Sequence, residues 1–298
     1  EDCRNGDVIR EPDISGSKKF EEFKNSYKDM LHYFKDITGM LSAGRTIEYS
    51  ILETITDLLY SYMDDSSILR YLNAVKNSDD YTHTHCIKTG FYCMLTAKWL
   101  RLSENQIRKA IQAGVLHDIG KIRVPDNILN KKGKLLSSEF DVIKKHTIYG
   151  YVLLSEDSNI DIDVKQAVLM HHERTDRSGY PFNASEDCIG LYGKITAVAD
   201  VYDAITSERA YKRKGGTPFE AFEVFITGGL SAFDTGILDV FLKNMSTYLI
   251  GVKVVLSNGE TGEIVYIPPM DVLSPIISTE SGYVDLSDGK SLKVIDIA

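Results

Sequence analysis

The stretch AGVLHDIGK, residues 113–121, places an imidazole and a carboxylate next to each other in an otherwise apolar segment of helical character. Burying a carboxylate without a partner costs several kcal/mol, whereas a divalent cation removes that penalty. Neighbouring helix positions lie about 100° apart, so His117 and Asp118 can surround one metal ion, or Asp118 can bridge two. Lys121 lies one turn beyond His117 and is expected to face the same cleft.

Other histidines and carboxylates extend this pattern. Six of the seven histidines fall between His83 and His172, and His171 directly precedes His172. Six histidines within one helical region call for a shared explanation. Farther along, Asp200 and Asp203 are three residues apart and therefore share one face of an apolar helix. A salt bridge to a neighbouring helix is the alternative explanation for each of these two carboxylates.

The types of ligand narrow the chemistry of this group. Imidazole and carboxylate ligands without a thiolate suit iron, manganese or zinc. Six or seven such ligands exceed one tetrahedral site, whereas two metals about 3.5 to 4 Å apart, bridged by a carboxylate and a hydroxide, would use them all. Such a pair activates water and neutralises a phosphodiester, so the group of residues suggests phosphoester hydrolysis.

Composition excludes several other classes of protein. The 298 residues include 34 basic and 43 acidic side chains, which gives a net charge of −9. An acidic chain repels phosphate backbones, so no DNA or RNA polymer is expected as a partner. The sequence contains neither a signal peptide nor an apolar run near the roughly 18 to 20 residues that cross a bilayer. Four cysteines without C-x-x-C spacing predict reduced thiols and a cytoplasmic location.

Hydrophobic periodicity predicts a mainly α-helical chain in four parts. These are a polar arm or linker at 1–16, an N-terminal helical region for packing or dimerisation at 17–77, a helical catalytic domain at 78–250, and a small β appendage at 251–298. Within the catalytic domain, Ser138 is predicted to begin one helix that runs through Leu154. In the appendage, Asn258-Gly259 and Asp288-Gly289 are predicted turns of two hairpins.

Several ordered motifs resemble the HD-GYP branch of the HD phosphohydrolase superfamily. They are HDIGK at 117–121, the single His146, HHERTDRSGYP at 171–181 and ITAVADVYDAITS at 195–207. The resemblance covers about residues 81–245. It implies an HD-type helical bundle around a centre of two or three irons, and the activity of a bacterial cyclic di-GMP phosphodiesterase.

The resemblance also implies roles for the residues that match its motifs. Asp118 would be the carboxylate that bridges the metals, and Lys121 would be a catalytic residue beside the scissile phosphate. The metal ligands would be His85, His117, Asp118, His146, His171, His172 and Asp200. The substrate-binding residues would be Arg209, Lys212, Gly179, Tyr180, Pro181 and Asp203.

Two positions depart from the pattern of the family. In the three-metal members that this sequence resembles, a glutamate lies four residues before the first histidine ligand. This chain has Tyr81 at that position. A two-metal site is therefore expected, with Asp79 or Asp80 as the alternative source of a third-metal ligand. Arg177 replaces the first glycine of the Asp-Gly-x-Gly-Tyr-Pro motif. If that position needs a positive φ, an arginine there lowers the stability of the fold by about 1 kcal/mol or reshapes the loop. The alternative role for Arg177 is contact with a phosphate of the substrate.

The activity implied by the resemblance is hydrolysis of cyclic di-GMP to linear pGpG, which a second cut would convert to GMP. With two metals, pGpG is expected as the main product. The attacking group would be a hydroxide that bridges two divalent metals, with iron expected before manganese or zinc. One alternative is another cyclic dinucleotide such as cyclic GMP-AMP, and a second is a non-catalytic module that binds cyclic di-GMP. The long apolar stripes of the N-terminal helices also suggest a homodimer.

Overall fold

The computed structural model describes residues 17–75, 81–207, 215–287 and 292–297. Several of the predicted features lie outside these ranges. They are the polar arm at 1–16, the alternative metal ligands Asp79 and Asp80, the phosphate-binding pair Arg209 and Lys212, and the Asp288-Gly289 turn.

The N-terminal region consists of α1 (Lys18–Ser42), α2 (Tyr49–Tyr60) and α3 (Ile68–Ala74). Ser17 caps α1, because its hydroxyl accepts a hydrogen bond from the Phe20 amide at 3.1 Å. The apolar stripe of α1 packs within this chain, and Phe23 contacts the rings of Tyr62 and Phe91 at centroid distances of 5.1 and 5.9 Å. Since the stripe is already covered, it gives no support to the predicted homodimer, which stays a prediction.

The histidine-rich region that follows is a helical bundle, and its first two helices cross at glycines. A Cβ added to Gly114 would lie 2.8 Å from the Sγ of Cys93 and 2.8 Å from the Cα of Gly90. The glycines therefore allow these two helices to approach closely. The elements are α4 (Tyr81–Trp99), α5 (Glu104–Leu116), a 3-10 helix (Ile119–Arg123), α6 (Asp126–Leu129), α7 (Ser137–Lys144), α8 (His146–Ser155), α9 (Ile162–Met170), a 3-10 helix (Glu186–Cys188), α10 (Leu191–Thr206), α11 (Pro218–Gly228) and α12 (Thr235–Thr247).

A third glycine sets the position of the HDIGK segment. A Cβ on Gly120 would lie only 1.9 Å from the carbonyl oxygen of His146 and 2.4 Å from the amide of Gly150. Any larger residue would push the first 3-10 helix away from α8. Gly120 thereby allows Asp118, two residues earlier, to approach His146.

Two predicted helices end earlier than the sequence suggested. His117 is the C-terminal cap of α5 rather than an interior residue, and Asp118 follows it at the start of the 3-10 helix. The single helix predicted from Ser138 through Leu154 is wrong, because α7 and α8 are separate helices that meet at Lys145. At this break, Nδ1 of His146 forms a hydrogen bond with the carbonyl oxygen of Ile143.

The appendage is a five-stranded antiparallel sheet in the order β4-β3-β2-β1-β5. The hairpin at Asn258-Gly259 is confirmed, with Gly259 at a φ of 87° between β1 and β2. The second predicted hairpin is wrong, because β4 pairs with β3, and β5 pairs with β1 at the opposite side of the sheet. The strands are β1 (Lys253–Leu256), β2 (Thr261–Tyr266), β3 (Ile276–Thr279), β4 (Gly282–Asp285) and β5 (Val294–Ile297).

The missed strand explains the error in the appendage. β3 is only four residues long and directly follows Pro275, a residue that commonly interrupts strands. Once β3 occupies the edge of β2, β4 pairs with β3, and Val294 of β5 is buried where it pairs with Leu256 of β1. Across the described ranges, no helix combines the length and the apolar character needed to cross a membrane.

Candidate metal centre

Five helices bring the seven predicted metal ligands into one buried cluster. His85 lies within α4 and Asp200 within α10, while the other five lie at or next to the ends of α5, α8 and α9. His172 is partly exposed, and the other six side chains are buried. These residues are His85, His117, Asp118, His146, His171, His172 and Asp200.

Three of the histidines are oriented by the same local contact. The Nδ1 atoms of His117, His146 and His171 donate to the carbonyl oxygens three residues earlier, at 2.7, 2.7 and 2.9 Å. Helix ends leave carbonyl oxygens without intrahelical partners, and these rings use them. With Nδ1 directed at a carbonyl, each ring turns its Nε2 toward the cluster, the arrangement found in metal-binding histidines.

The candidate ligands fall into two groups that share Asp118. One consists of Asp118, His146, His171 and His172, and the other of His85, His117 and Asp118. The Oδ1 of Asp118 lies 3.2 Å from Nε2 of His146, and its Oδ2 lies 3.3 Å from Nε2 of His117. One carboxylate oxygen therefore faces each group, which is the geometry of a bridging ligand.

Asp200 also faces both groups. Its Oδ1 lies 3.0 Å from Nε2 of His85, and its Oδ2 lies 3.8 Å from Nδ1 of His172. The two carboxylates thus lie between the two sets of imidazoles. Such an arrangement suits a pair of cations better than two independent sites.

The donor set fits a divalent metal. The Nε2 atoms of His146 and His171 are 3.4 Å apart, and both are acceptors because their Nδ1 protons bind carbonyls. Oδ1 of Asp118 is buried and accepts no hydrogen bond from the described residues. Three acceptor atoms with no proton between them are unfavourable in a buried site. A cation at this point would satisfy all three.

The protonation of the histidines agrees with this role. Burial lowers the pKa of His171 and of His172 well below the usual value. It also lowers the pKa of His146 to about 4. These three rings are therefore neutral near pH 7, as metal ligands must be.

The two carboxylates are ionised. Burial alone would raise the pKa of Asp118, but Lys121 and His117 hold it well below its usual range. Burial would likewise raise the pKa of Asp200, and the hydrogen bond from His85 outweighs this effect. Neutral imidazoles and charged carboxylates together form a site for a divalent cation.

Asp203 has a different place from the one predicted. It is fully buried, and its Oδ2 accepts a hydrogen bond from Nδ1 of His85 at 2.6 Å while its Oδ1 accepts one from Ser207 at 2.9 Å. The predicted role in substrate binding does not fit this position. Asp203 instead orients His85. Burial would lower the pKa of His85, but Asp200 and Asp203 raise it to about 9, so a metal must displace a proton from this ring.

We expect Asp203→Asn to weaken metal binding about 10- to 100-fold, because the partner that orients a histidine ligand is lost. The measurement is a metal titration in competition with a chelator. Asp157→Asn is the control, since Asp157 is also a buried carboxylate. At saturating metal, KM for the substrate should not change. A raised KM with normal metal affinity would instead support the substrate-binding role.

The remaining predicted residues that the structure describes lie next to the cluster. Lys121 donates to Oδ2 of Asp118, with a quarter of its own side chain exposed. The ring of Tyr180 stacks on His172 with centroids 4.6 Å apart. Gly179, Tyr180 and Pro181 line a cavity of about 670 Å³ that opens beside His172. The cavity that these three residues line therefore reaches the cluster at His172.

The loop that carries Tyr180 is held by Glu173, which the sequence did not single out. This buried carboxylate accepts hydrogen bonds from the amides of Phe182 at 2.6 Å and Ala184 at 2.9 Å. In the sequence, Glu173 is distinguished only by its position directly after His171 and His172. That position does not indicate that its carboxylate binds the loop amides. Arg177 has a φ of 64°, so the position does require the positive φ that glycine adopts most easily.

Tyr81 stacks on His85, with ring centroids 5.7 Å apart and an angle of 10° between the planes. Tyr81 therefore packs its aromatic ring on the candidate ligand His85. The three-metal pattern would have a carboxylate at this position. His83 lies beside α1, with its Nε2 3.4 Å from Oγ1 of Thr38, and His32 is an exposed residue of α1. Both histidines are absent from the two candidate ligand groups.

The helical bundle and its histidine–aspartate cluster define an HD-type protein. The chain matches the HD-domain family over residues 76–237, more than half of its length, and it belongs to that family. An HDGYP protein of Bdellovibrio bacteriovorus has a similar fold, with a TM-score of 0.63 and 14% sequence identity over 77% of this chain and 73% of that one. The predicted fold class and the resemblance to the HD-GYP branch are both confirmed.

Curated relatives carry more specific names. A cyclic di-GMP phosphodiesterase of Pseudomonas aeruginosa is 38% identical over 70% of this chain and 52% of its own length. A cyclic di-GMP phosphodiesterase response regulator of Xanthomonas campestris is 42% identical over 64% of this chain and 50% of its own. A 3′3′-cGAMP-specific phosphodiesterase of Vibrio cholerae is 32% identical over 64% of this chain and 35% of its own length. The chain thus spans about half, or less, of each of these relatives.

Proposed function

We propose that this chain is a metal-dependent phosphodiesterase that hydrolyses cyclic di-GMP. The observation that carries the proposal is Asp118, whose two oxygens face two separate groups of imidazoles. The names of the Pseudomonas and Xanthomonas relatives support the substrate. The related cyclic GMP-AMP enzymes of Vibrio support the same class of substrate and make that dinucleotide the second candidate.

The proposed cofactor is a pair of divalent metals, with iron as the first choice. Asp118 would bridge them, His146, His171 and His172 would hold one, and His85 and His117 would hold the other, with Asp200 between the groups. When bound, the pair would polarise the phosphate oxygens and lower the pKa of bound water. The absence of thiolates from the group favours iron, manganese or zinc.

The protein residues around the cluster would position the substrate. Lys121 donates to Asp118 and is itself partly exposed, so its ammonium would stabilise the charge that develops on the phosphate or on the leaving oxygen. Arg209 and Lys212 stay the predicted clamp for the phosphates. Tyr180, stacked on His172, would form the wall against which the nucleotide lies.

The proposed product is linear pGpG. Tyr81 supplies an aromatic ring in place of a third-metal carboxylate, and we take a single cut as the expected outcome of the resulting two-metal site. The test is incubation of anaerobically purified protein, loaded separately with iron, manganese or zinc, with cyclic di-GMP and with cyclic GMP-AMP, followed by chromatography. We expect pGpG to accumulate. Conversion to GMP at the rate of the first cleavage would contradict the two-metal proposal, and no cleavage with any metal would contradict the function.

A further inference from the structure

The cavity beside the cluster has a second wall that none of the motifs contains. The loop with Tyr180 forms part of its lining, and α7 contributes Phe140 and Lys144 to the rest. His172 lies at its inner end and is the candidate metal ligand among its lining residues. A volume of about 670 Å³ lies within the range of roughly 300 to 1,000 Å³ that is typical of small-molecule sites. The cavity can therefore hold more of a substrate than the phosphate at the metals.

Phe140 supplies this wall with an aromatic ring that the protein leaves uncovered. Its side chain is 45% exposed, and its ring meets that of Tyr180 edge to face at a centroid distance of 6.4 Å. Nucleic-acid bases stack on such rings, with about 1 to 3 kcal/mol for each base. A purine in the cavity would cover the exposed face of Phe140.

Lys144 adds positive charge to the same wall. Its ammonium lies 4.9 Å from the centre of the Phe140 ring and 5.9 Å from that of Tyr180. Its Nζ forms an ion pair with Oδ1 of Asp141 at 3.0 Å, but a partly exposed ion pair of this kind is weak. With Arg174 in the lining as well, cations outnumber carboxylates here, although the chain as a whole has a net charge of −9.

We propose that Phe140 and Lys144 recognise the half of a cyclic dinucleotide that is not being cleaved. With the scissile phosphate at the metal ligands, Phe140 stacks a base and Lys144 exchanges Asp141 for the second phosphate by a charge-assisted hydrogen bond. The inference rests on the proposed phosphodiesterase function. It assigns substrate specificity to α7, outside the HD and GYP motifs.

The experiment compares Phe140→Ala and Lys144→Gln with matched controls on two substrates. Val224→Ala is the control for the first variant, since Val224 is 46% exposed on α11. Lys243→Gln is the control for the second, because Lys243 is 38% exposed and forms an i,i+4 pair with Asp239 on α12. The substrates are cyclic di-GMP and bis(p-nitrophenyl) phosphate, which has a phosphodiester but no second nucleotide. Kd for a phosphorothioate analogue of cyclic di-GMP, measured by calorimetry, is a readout independent of turnover.

We expect each of the two α7 variants to raise KM and the analogue Kd about tenfold. Hydrolysis of bis(p-nitrophenyl) phosphate should stay within twofold of wild type, as should both controls on either substrate. Unchanged KM and Kd in both α7 variants would overturn the inference while leaving the phosphodiesterase function intact. Equal losses on both phosphodiesters would also overturn it, because they would place the effect at the metals. Absence of wild-type turnover on both substrates would instead refute the proposed function.

Discussion

Asp118→Asn is expected to keep the fold of the chain and to lower kcat on cyclic di-GMP about a thousandfold or more. The amide has nearly the same shape as the carboxylate, so the packing around it should change little. What it lacks is the negative charge and the second anionic oxygen. One oxygen of Asp118 faces His146 and the other faces His117, so the variant cannot bridge two cations.

Metal analysis measures the same loss without an assay of activity. Anaerobically purified wild-type protein should contain two metals per chain, and Asp118→Asn should contain one or none. Asp157→Asn is a demanding control, because Asp157 is also buried and its Oδ2 also accepts no hydrogen bond from the described residues. That control should keep both the metals and the activity. Wild-type metal content in Asp118→Asn, with circular dichroism unchanged, would exclude Asp118 as the bridging ligand.

The cluster could be predicted from the sequence because few chemical explanations fit its composition. A buried histidine–aspartate pair, two adjacent histidines and an aspartate in an apolar helix all need the same compensation, which is a cation. The structure brings together those five residues with His85 and His146, the two ligands that only the family resemblance implied. The general fold was also predictable, because the change from helical to alternating periodicity occurs near residue 251.

Other features of the site depend on contacts that have no sequence pattern. Asp200 and Asp203 share one helical face, and spacing alone cannot show that His85 lies between them and binds both. The positions of His117 and His146 at helix ends follow from hydrogen bonds to carbonyls, which propensity does not reveal. Phe140 lies in an ordinary amphipathic helix, and only the folded chain shows that it faces the cavity.

The second large effect is expected at Lys121, where Lys121→Met should lower kcat on cyclic di-GMP about 100-fold or more. Methionine keeps most of the aliphatic length but carries no charge. Lys121 donates to Oδ2 of Asp118, so its positive charge lies directly beside the predicted bridging ligand. KM should change little, because the charge it stabilises develops in the transition state.

Two substrates distinguish the two roles that Lys121 can have. Bis(p-nitrophenyl) phosphate has a leaving group that departs as a stable anion, whereas the 3′ oxygen of a ribose needs stabilisation or a proton. If Lys121 assists the leaving oxygen, Lys121→Met will be far more damaging for cyclic di-GMP than for the nitrophenyl ester. Equal losses in kcat would assign it to the charge on the phosphate. Reduced metal content with normal kcat at saturating metal would refute both roles, because Lys121 would then act only by holding Asp118 in place.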